Sequence, residues 1–115
     1  MPRDWFQFLE DMIKAANKAV IYCAGRSAPD LLQDDMRLEA VTLQIQIIGE
    51  AAKRVPESIR ELAPDIPWRE ICGLRDIIVH EYFDADNQII IDVALNKLPI
   101  LLERLQRLHR DFESM

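Results

Sequence analysis

Apolar residues recur at three- and four-residue steps through most of this chain, the period of an amphipathic helix rather than of a strand. The first such stripe is Trp5, Leu9, Met12, Ala16, Ala19 and Cys23, widened by Phe8, Ile13 and Val20. Asp4 is a suitable N-cap and Gly25 a suitable stop, so the spacing predicts a helix between them with that stripe in the core. Ser27-Ala28-Pro29 opens a connection, and residues 30 to 33 form a short turn. A second helix starts at Asp34 or Asp35 and runs to about Val55, with Leu38, Val41, Ile45, Ile48, Ala52 and Val55 in a 3-4-3-4-3 rhythm. Leu43, Ile47 and Ala51 give it a second apolar face, more than one neighbour needs to cover, which points to a partner such as a second copy. Gly49 costs this helix about 1 kcal/mol of propensity relative to Ala, and close approach of another helix would explain it.

Residues 56 to 62 read as a short helix, with Pro56 pre-set for its first turn. Pro64 and Pro67 bracket a rigid connection that Trp68 anchors on the core. A third main helix follows from about Pro67 to His80, burying Ile71, Leu74, Ile77 and Ile78. Residues 83 to 87 form a loop. Ile89-Ile90-Ile91 is β-branched, but no other strand candidate exists for it to pair with, so it joins a last helical stretch from about Asn87 to Glu113. Pro99 bends or breaks that stretch, and Leu98, Leu101, Leu105, Leu108 and Phe112 keep its rhythm. The sum is a single domain over residues 1–115, an all-α antiparallel bundle of four or five helices.

Composition narrows the function. The formal net charge of −6 excludes a surface built for bulk nucleic-acid binding, so an RNA substrate would need a local cationic cleft and would bind in a salt-sensitive way. Cys23 and Cys72 lie in no metal or redox spacing and read as buried thiols in a reducing compartment. No carboxylate or His/Cys cluster has metal-ligand spacing, and no cofactor is called for. With no signal peptide and no apolar run of membrane-spanning length, a cytoplasmic protein is expected, with no membrane partner.

The candidate chemistry lies at the end of the third helix, in Gly73-Leu74-Arg75-Asp76-Ile77-Ile78-Val79-His80-Glu81-Tyr82-Phe83. Arg75 offers a planar fork of donors suited to phosphate oxygens, and His80 can take or give a proton near neutral pH. Tyr82 adds a hydroxyl that can hydrogen-bond or be modified. Five residues of α-helix turn through about 500°, which leaves Arg75 and His80 roughly 140° apart with a rise of about 7.5 Å. Such a pair becomes compact only if the helix ends near His80 or a second subunit completes the site. Spacing alone also allows Arg75 to pair with Asp76 or Glu81 while His80 merely decorates a helix end. Glu50 either balances Arg75 or faces solvent. His109, among Arg107, Arg110 and Asp111, reads as a solvated surface residue.

R-x-x-x-x-H-x-Y, here Arg75, His80 and Tyr82, resembles the signature of HEPN-domain ribonucleases of the HepT toxin family. Matching segments extend along the chain in order: Ile48-Gly49-Glu50-Ala51-Ala52, Ile66-Pro67-Trp68-Arg69, Leu74-Arg75-Asp76-Ile77, His80-Glu81-Tyr82-Phe83, and a Leu98-Pro99 step. The resemblance implies a HEPN-like homodimer whose two motifs face one cleft. It also implies metal-independent endoribonuclease activity on an RNA substrate such as tRNA or mRNA, through 2′-hydroxyl attack. Arg75 and His80 would then be catalytic, with Asp76, Tyr82 and Glu50 supporting them. It further implies the toxin half of a type VII toxin–antitoxin system, silenced when a minimal nucleotidyltransferase antitoxin of the MntA type transfers AMP to Tyr82. One departure is Asp76, where such nucleases often carry asparagine or another polar residue; its carboxylate can pair with Arg75 and weaken the nuclease. The competing expectation is a non-catalytic helical subunit that docks on a nucleotidyltransferase and presents substrate to it.

Overall fold

A computed structural model describes residues 4–80 and 86–114, and among them the chain is all α, as its periodicity predicts. Seven α-helices run in order: α1 (Trp5–Cys23), α2 (Ala28–Leu32), α3 (Asp35–Ala52), α4 (Glu57–Arg60), α5 (Trp68–His80), α6 (Asn87–Asp92) and α7 (Leu98–Glu113). The four long ones, α1, α3, α5 and α7, make the bundle. Each start has a chemical reason. Asp4 accepts from the Phe6 amide, Asp34 from Arg37 and Asp86 from Gln88, while Ser27 and Asp30 close a reciprocal capping box on α2. Gly25 takes a left-handed φ of 73° just past α1, a conformation that stops a helix and suits a residue without Cβ. No helix among the described residues is long and apolar enough to cross a membrane.

Helix α1 lies between α3 and α7, and α3 lies between α1 and α5. One core runs through the bundle, with Leu9, Met12, Leu31, Val41, Ile90 and Leu105 fully enclosed. The stripe expected on α1 is buried except for Trp5, which is half-exposed and packs edge-on against Phe6 and Phe112. The isoleucines 89 to 91 are helical, with Ile90 and Ile91 buried and Ile89 exposed.

Helix α5 is an edge element that leans chiefly on α3, and this corrects two expectations. Ile77 is 48% exposed, and Ile71 and Leu74 are only half-buried, leaving Ile78 and Trp68 as the buried anchors. Cys72 is likewise half-buried rather than enclosed; only Cys23 is a core thiol, and burial raises its pKa. A helix with one main neighbour cannot hide a broad apolar face. An open, mainly apolar groove of about 530 Å³ separates α5 from α6 and α7, with Ile71, Leu74, Val93 and Ile100 among its walls.

Polar contacts fix where α5 begins. The Trp68 indole N–H donates to the Ala63 carbonyl at 3.1 Å, and Arg104 Nη1 donates to the Asp65 carbonyl at 2.6 Å, tying the connection to α7. Arg60 donates to the carbonyls of Ala52 and Val55, satisfying acceptors at the end of α3.

Pro99 does not break the last stretch. It stands at the second position of α7, just after a π-helical turn, Val93–Lys97. Proline lacks an N–H, and its ring crowds the carbonyl four residues back; one wider turn relieves both problems.

Helices α3 and α5 approach closely at Gly49. A Cβ added there would stand 2.2 Å from Arg75 Cβ and 3.1 Å from the Ile71 carbonyl oxygen. Gly73, on the open side of α5, would meet nothing within 4 Å. The two glycines therefore respond oppositely to alanine. Gly49→Ala gains about 1 kcal/mol of helix propensity but forces α3 and α5 apart, a net loss of about 1–3 kcal/mol. Gly73→Ala gains about 0.5–1 kcal/mol. Urea midpoints at unchanged slope check both, and a stable Gly49→Ala protein would contradict the packing described.

Candidate functional site

Arg75 rests its stem on Gly49, and its guanidinium then runs along α3 to two carboxylates. Nη2 donates to Glu50 Oε1 at 3.0 Å, and Nη1 donates to Asp76 Oδ1 at 3.1 Å. The same Asp76 oxygen accepts from Lys53 Nζ at 2.5 Å. Glu50 and Lys53 reach the cluster together because residues three apart share a helix face. Arg75 Nε is buried and has no hydrogen-bond partner among the described residues. The open question about Glu50 is thereby answered: it balances Arg75, and it does so from a half-exposed side chain.

The electrostatics follow from these contacts. The hydrogen bonds that Arg75 donates to Glu50, then to Asp76, raise its pKa. Asp76 is lowered below the usual carboxylate range, first by its bond from Lys53 and then by Arg75. The cluster borders an open cavity of about 390 Å³ between α1, α3 and α5, whose walls include Phe8, Glu50, Lys53, Arg54 and Arg75. The Arg54 guanidinium lies 6.0 Å from the centre of the Phe8 ring. Lys53 and Arg54 were not identified from the sequence. A lysine one turn beyond Glu50 was the available signal, but the α3–α5 alignment that brings it to Asp76 is a tertiary fact.

The motif residues part company here. Arg75, Asp76 and Glu50 are brought together, whereas His80, exposed at the end of α5, has no hydrogen bond to this cluster among the described residues. Tyr82 and Glu81 lie outside the described residues. Arg75 does pair with Asp76, at 3.1 Å. Among the described residues no three His, Cys, Asp or Glu side chains gather as a metal site.

His109 is not the solvated residue its neighbours suggest. It is half-buried between α1 and α7, stacked on Phe6 with ring centres 4.5 Å apart. Its Nδ1 lies 3.1 Å from Glu113 and its Nε2 3.4 Å from Glu10. This is a bundle contact remote in the fold from the Arg75 cluster, because α1 and α7 meet on the far side of α1 from α5.

The family model described as Ribonuclease HepT-like matches residues 12–108. The protein named "Probable ribonuclease HepT" of Thermococcus cleftensis is 31% identical over 110 residues, covering 96% of this chain and all of that protein. "Putative RNase MJ0127" of Methanocaldococcus jannaschii is 30% identical over 115 residues, covering 99% of this chain and 95% of that protein. "Putative RNase TTE0752" of Caldanaerobacter subterraneus subsp. tengcongensis is 32% identical over 101 residues, covering 88% and 90%. No solved structure matches the chain. The match spans the helices that carry both Glu50 and the Arg75-to-His80 segment, and the chain belongs to the HepT-like ribonuclease family.

Proposed function

We propose that this protein is an endoribonuclease that cuts RNA through the substrate's own 2′-hydroxyl, with Arg75 and His80 as its catalytic residues. The observation that carries the reading is the Arg75 guanidinium at the wall of an open cavity, in a chain of a ribonuclease family. In the proposed reaction the 2′-oxygen attacks the adjacent phosphorus and the bond to the 5′-oxygen breaks. The products are a 2′,3′-cyclic phosphate and a 5′-hydroxyl. The 2′-hydroxyl proton must leave and the departing 5′-oxygen must gain one; His80 serves this proton transfer. Arg75 clamps the phosphate and stabilises the charge that builds on its oxygens. Asp76 and Glu50 support the clamp by holding it in the free protein, and Tyr82 positions the phosphate or His80.

A homodimer answers the angular separation of Arg75 from His80, because one copy's arginine can work with the other's histidine across a shared cleft. Support comes from exposed apolar residues on α3. Met36 and Leu43 are 81% and 53% exposed on one face with half-buried Ala40 between them, whereas Ile47 and Ala51 of the expected second face are half-buried against the core and buried in it. The same face continues to Glu50 at the Arg75 cavity, and Ile77 and Val79 add exposed apolar surface on α5 beside the motif. Such a surface on a small domain is the mark of an association face.

We further propose the toxin role in a type VII toxin–antitoxin pair, with a minimal nucleotidyltransferase antitoxin placing AMP on Tyr82. A nucleotide there would bring an anionic group next to Arg75 and His80 and fill the cleft, much as phosphorylation acts on a cationic site. The carboxylate-occupied Arg75 and the net charge of −6 favour a second reading, a non-catalytic subunit that docks on such a transferase.

The cleavage test is purified protein with tRNA and total RNA in EDTA. Wild type should give 5′-hydroxyl ends, and His80→Ala should reduce cleavage by about 10²–10⁴-fold with the helical signal unchanged. Products with a 5′-phosphate contradict the 2′-hydroxyl route, and unchanged cleavage in His80→Ala removes the histidine from it. Light scattering should show a dimer at micromolar concentration that Leu43→Glu converts to a monomer of lower activity. Mass spectrometry after co-expression with a minimal nucleotidyltransferase should show an adenylyl adduct that Tyr82→Phe abolishes.

A further inference from the structure

Both terminal nitrogens of Arg75 are engaged by carboxylates, Nη2 by Glu50 and Nη1 by Asp76, and Nε is buried. A phosphate that binds this arginine therefore competes with a carboxylate for it. The two carboxylates are not equally replaceable. Asp76 is adjacent in sequence, sits on the same helix and is bonded by Lys53 as well, so a second cation would have to be stripped to free it. Glu50 reaches across from α3 on a half-exposed side chain, and its one hydrogen bond among the described residues is to Arg75. A small rotation of its side chain into water would uncover Nη2 and leave Asp76 and Lys53 as they are.

We propose that Glu50 is an internal stand-in for the substrate phosphate, occupying the Arg75 fork in the free protein and yielding it to an RNA strand. The inference deepens the ribonuclease reading and rests on it. Glu50 is then a specificity-determining residue: it sets substrate affinity and excludes single weak anions from the fork. The role has a thermodynamic signature. When RNA replaces Glu50, the Arg75–Glu50 pair is lost, which offsets part of the gain from the new phosphate contact. An uncharged isostere removes that loss. Lys53 is assigned the complementary role of retaining Asp76, so that Arg75 keeps its orientation as Glu50 leaves.

The experiment compares wild type with Glu50→Gln, which keeps size and polarity and alters a half-exposed position. The binding probe is a fully 2′-O-methylated RNA oligonucleotide, which lacks the free 2′-hydroxyl and cannot be cut by this route. Glu50→Gln should bind it about two- to fivefold more tightly at low salt, the scale of an exposed ion pair. With all-ribose RNA, KM should fall by a similar factor. Lys53→Ala should weaken binding, as Asp76 then swings free to compete. Weaker or unchanged binding by Glu50→Gln, or a fall in kcat at constant KM, would overturn the proposal and make Glu50 a simple brace for Arg75. Cleavage by wild type with any of those results sinks the stand-in alone. Failure of wild type to cut RNA sinks the ribonuclease reading and the stand-in with it.

Discussion

The site depends on a missing side chain. With no Cβ at Gly49, α3 and α5 approach until the Arg75 stem lies directly on the α3 backbone. That contact fixes the root of the arginine, and from it each terminal nitrogen of the guanidinium reaches a carboxylate. Helix α5 has little else to locate it, since it leans chiefly on α3 and leaves Ile77 in solvent. Its start is pinned by Trp68 and by the Asp65 contacts to Arg104 and Arg107, and its middle by Gly49. An edge helix held at two points presents its far end, the His80 end, to whatever approaches.

Charge sets the second constraint. An acidic chain with a net charge of −6 repels a polyanion at long range, and the cations nearest Arg75 do not correct this by themselves. Arg75 and Lys53 are matched by Glu50 and Asp76 within one hydrogen-bonded group. Such a group gains little stability from each exposed pair, because solvent screens it. What it does offer is exchange. On the proposed reading, a phosphate that enters would trade one anionic partner of Arg75 for another, with little net change of charge at the guanidinium, so binding would be a competition rather than a simple attraction. Two copies of the cluster facing one another would double the cationic contacts on a strand without altering the average charge of either chain.

Most of the bundle was legible because its signals are local. Asp4, Asp34 and Asp86 cap the helices they precede, Gly25 ends α1, and the 3-4 rhythm of α3 names its buried face. Gly49 announced a close approach and delivered one. The errors have a common cause, which is that periodicity shows which face is apolar but not how many neighbours cover it. Ile77 and Cys72 belong to an apolar pattern on an edge helix, so they are less buried than the pattern implies. His109 sits in a charged sequence yet stacks on Phe6, a contact from the other end of the chain. Pro99 was readable as a disturbance, but the remedy, a π-helical turn before it rather than a break, depends on keeping Ala94, Leu98 and Leu101 in one core. Of the site, the arginine and its carboxylates could be named, whereas Lys53 required knowledge of how α3 and α5 line up.

The separation of Arg75 from His80 is the feature that a one-chain account cannot absorb. On a regular helix the two lie about 140° apart, and the packing uses that angle: Arg75 is turned onto α3, and His80 is exposed. Rotating α5 to bring both to one point would lift Arg75 off Gly49 and expose Ile78, which is buried and anchors the same helix. The divergence is therefore built in by the core, not a local irregularity that a small movement could remove. A phosphate held by the Arg75 fork must receive its proton-transfer group either from a turn of the chain beyond His80 or from another molecule. The exposed apolar face of α3 runs to the same cavity, so the surface that would bring a second copy and the group that needs one occupy a single face.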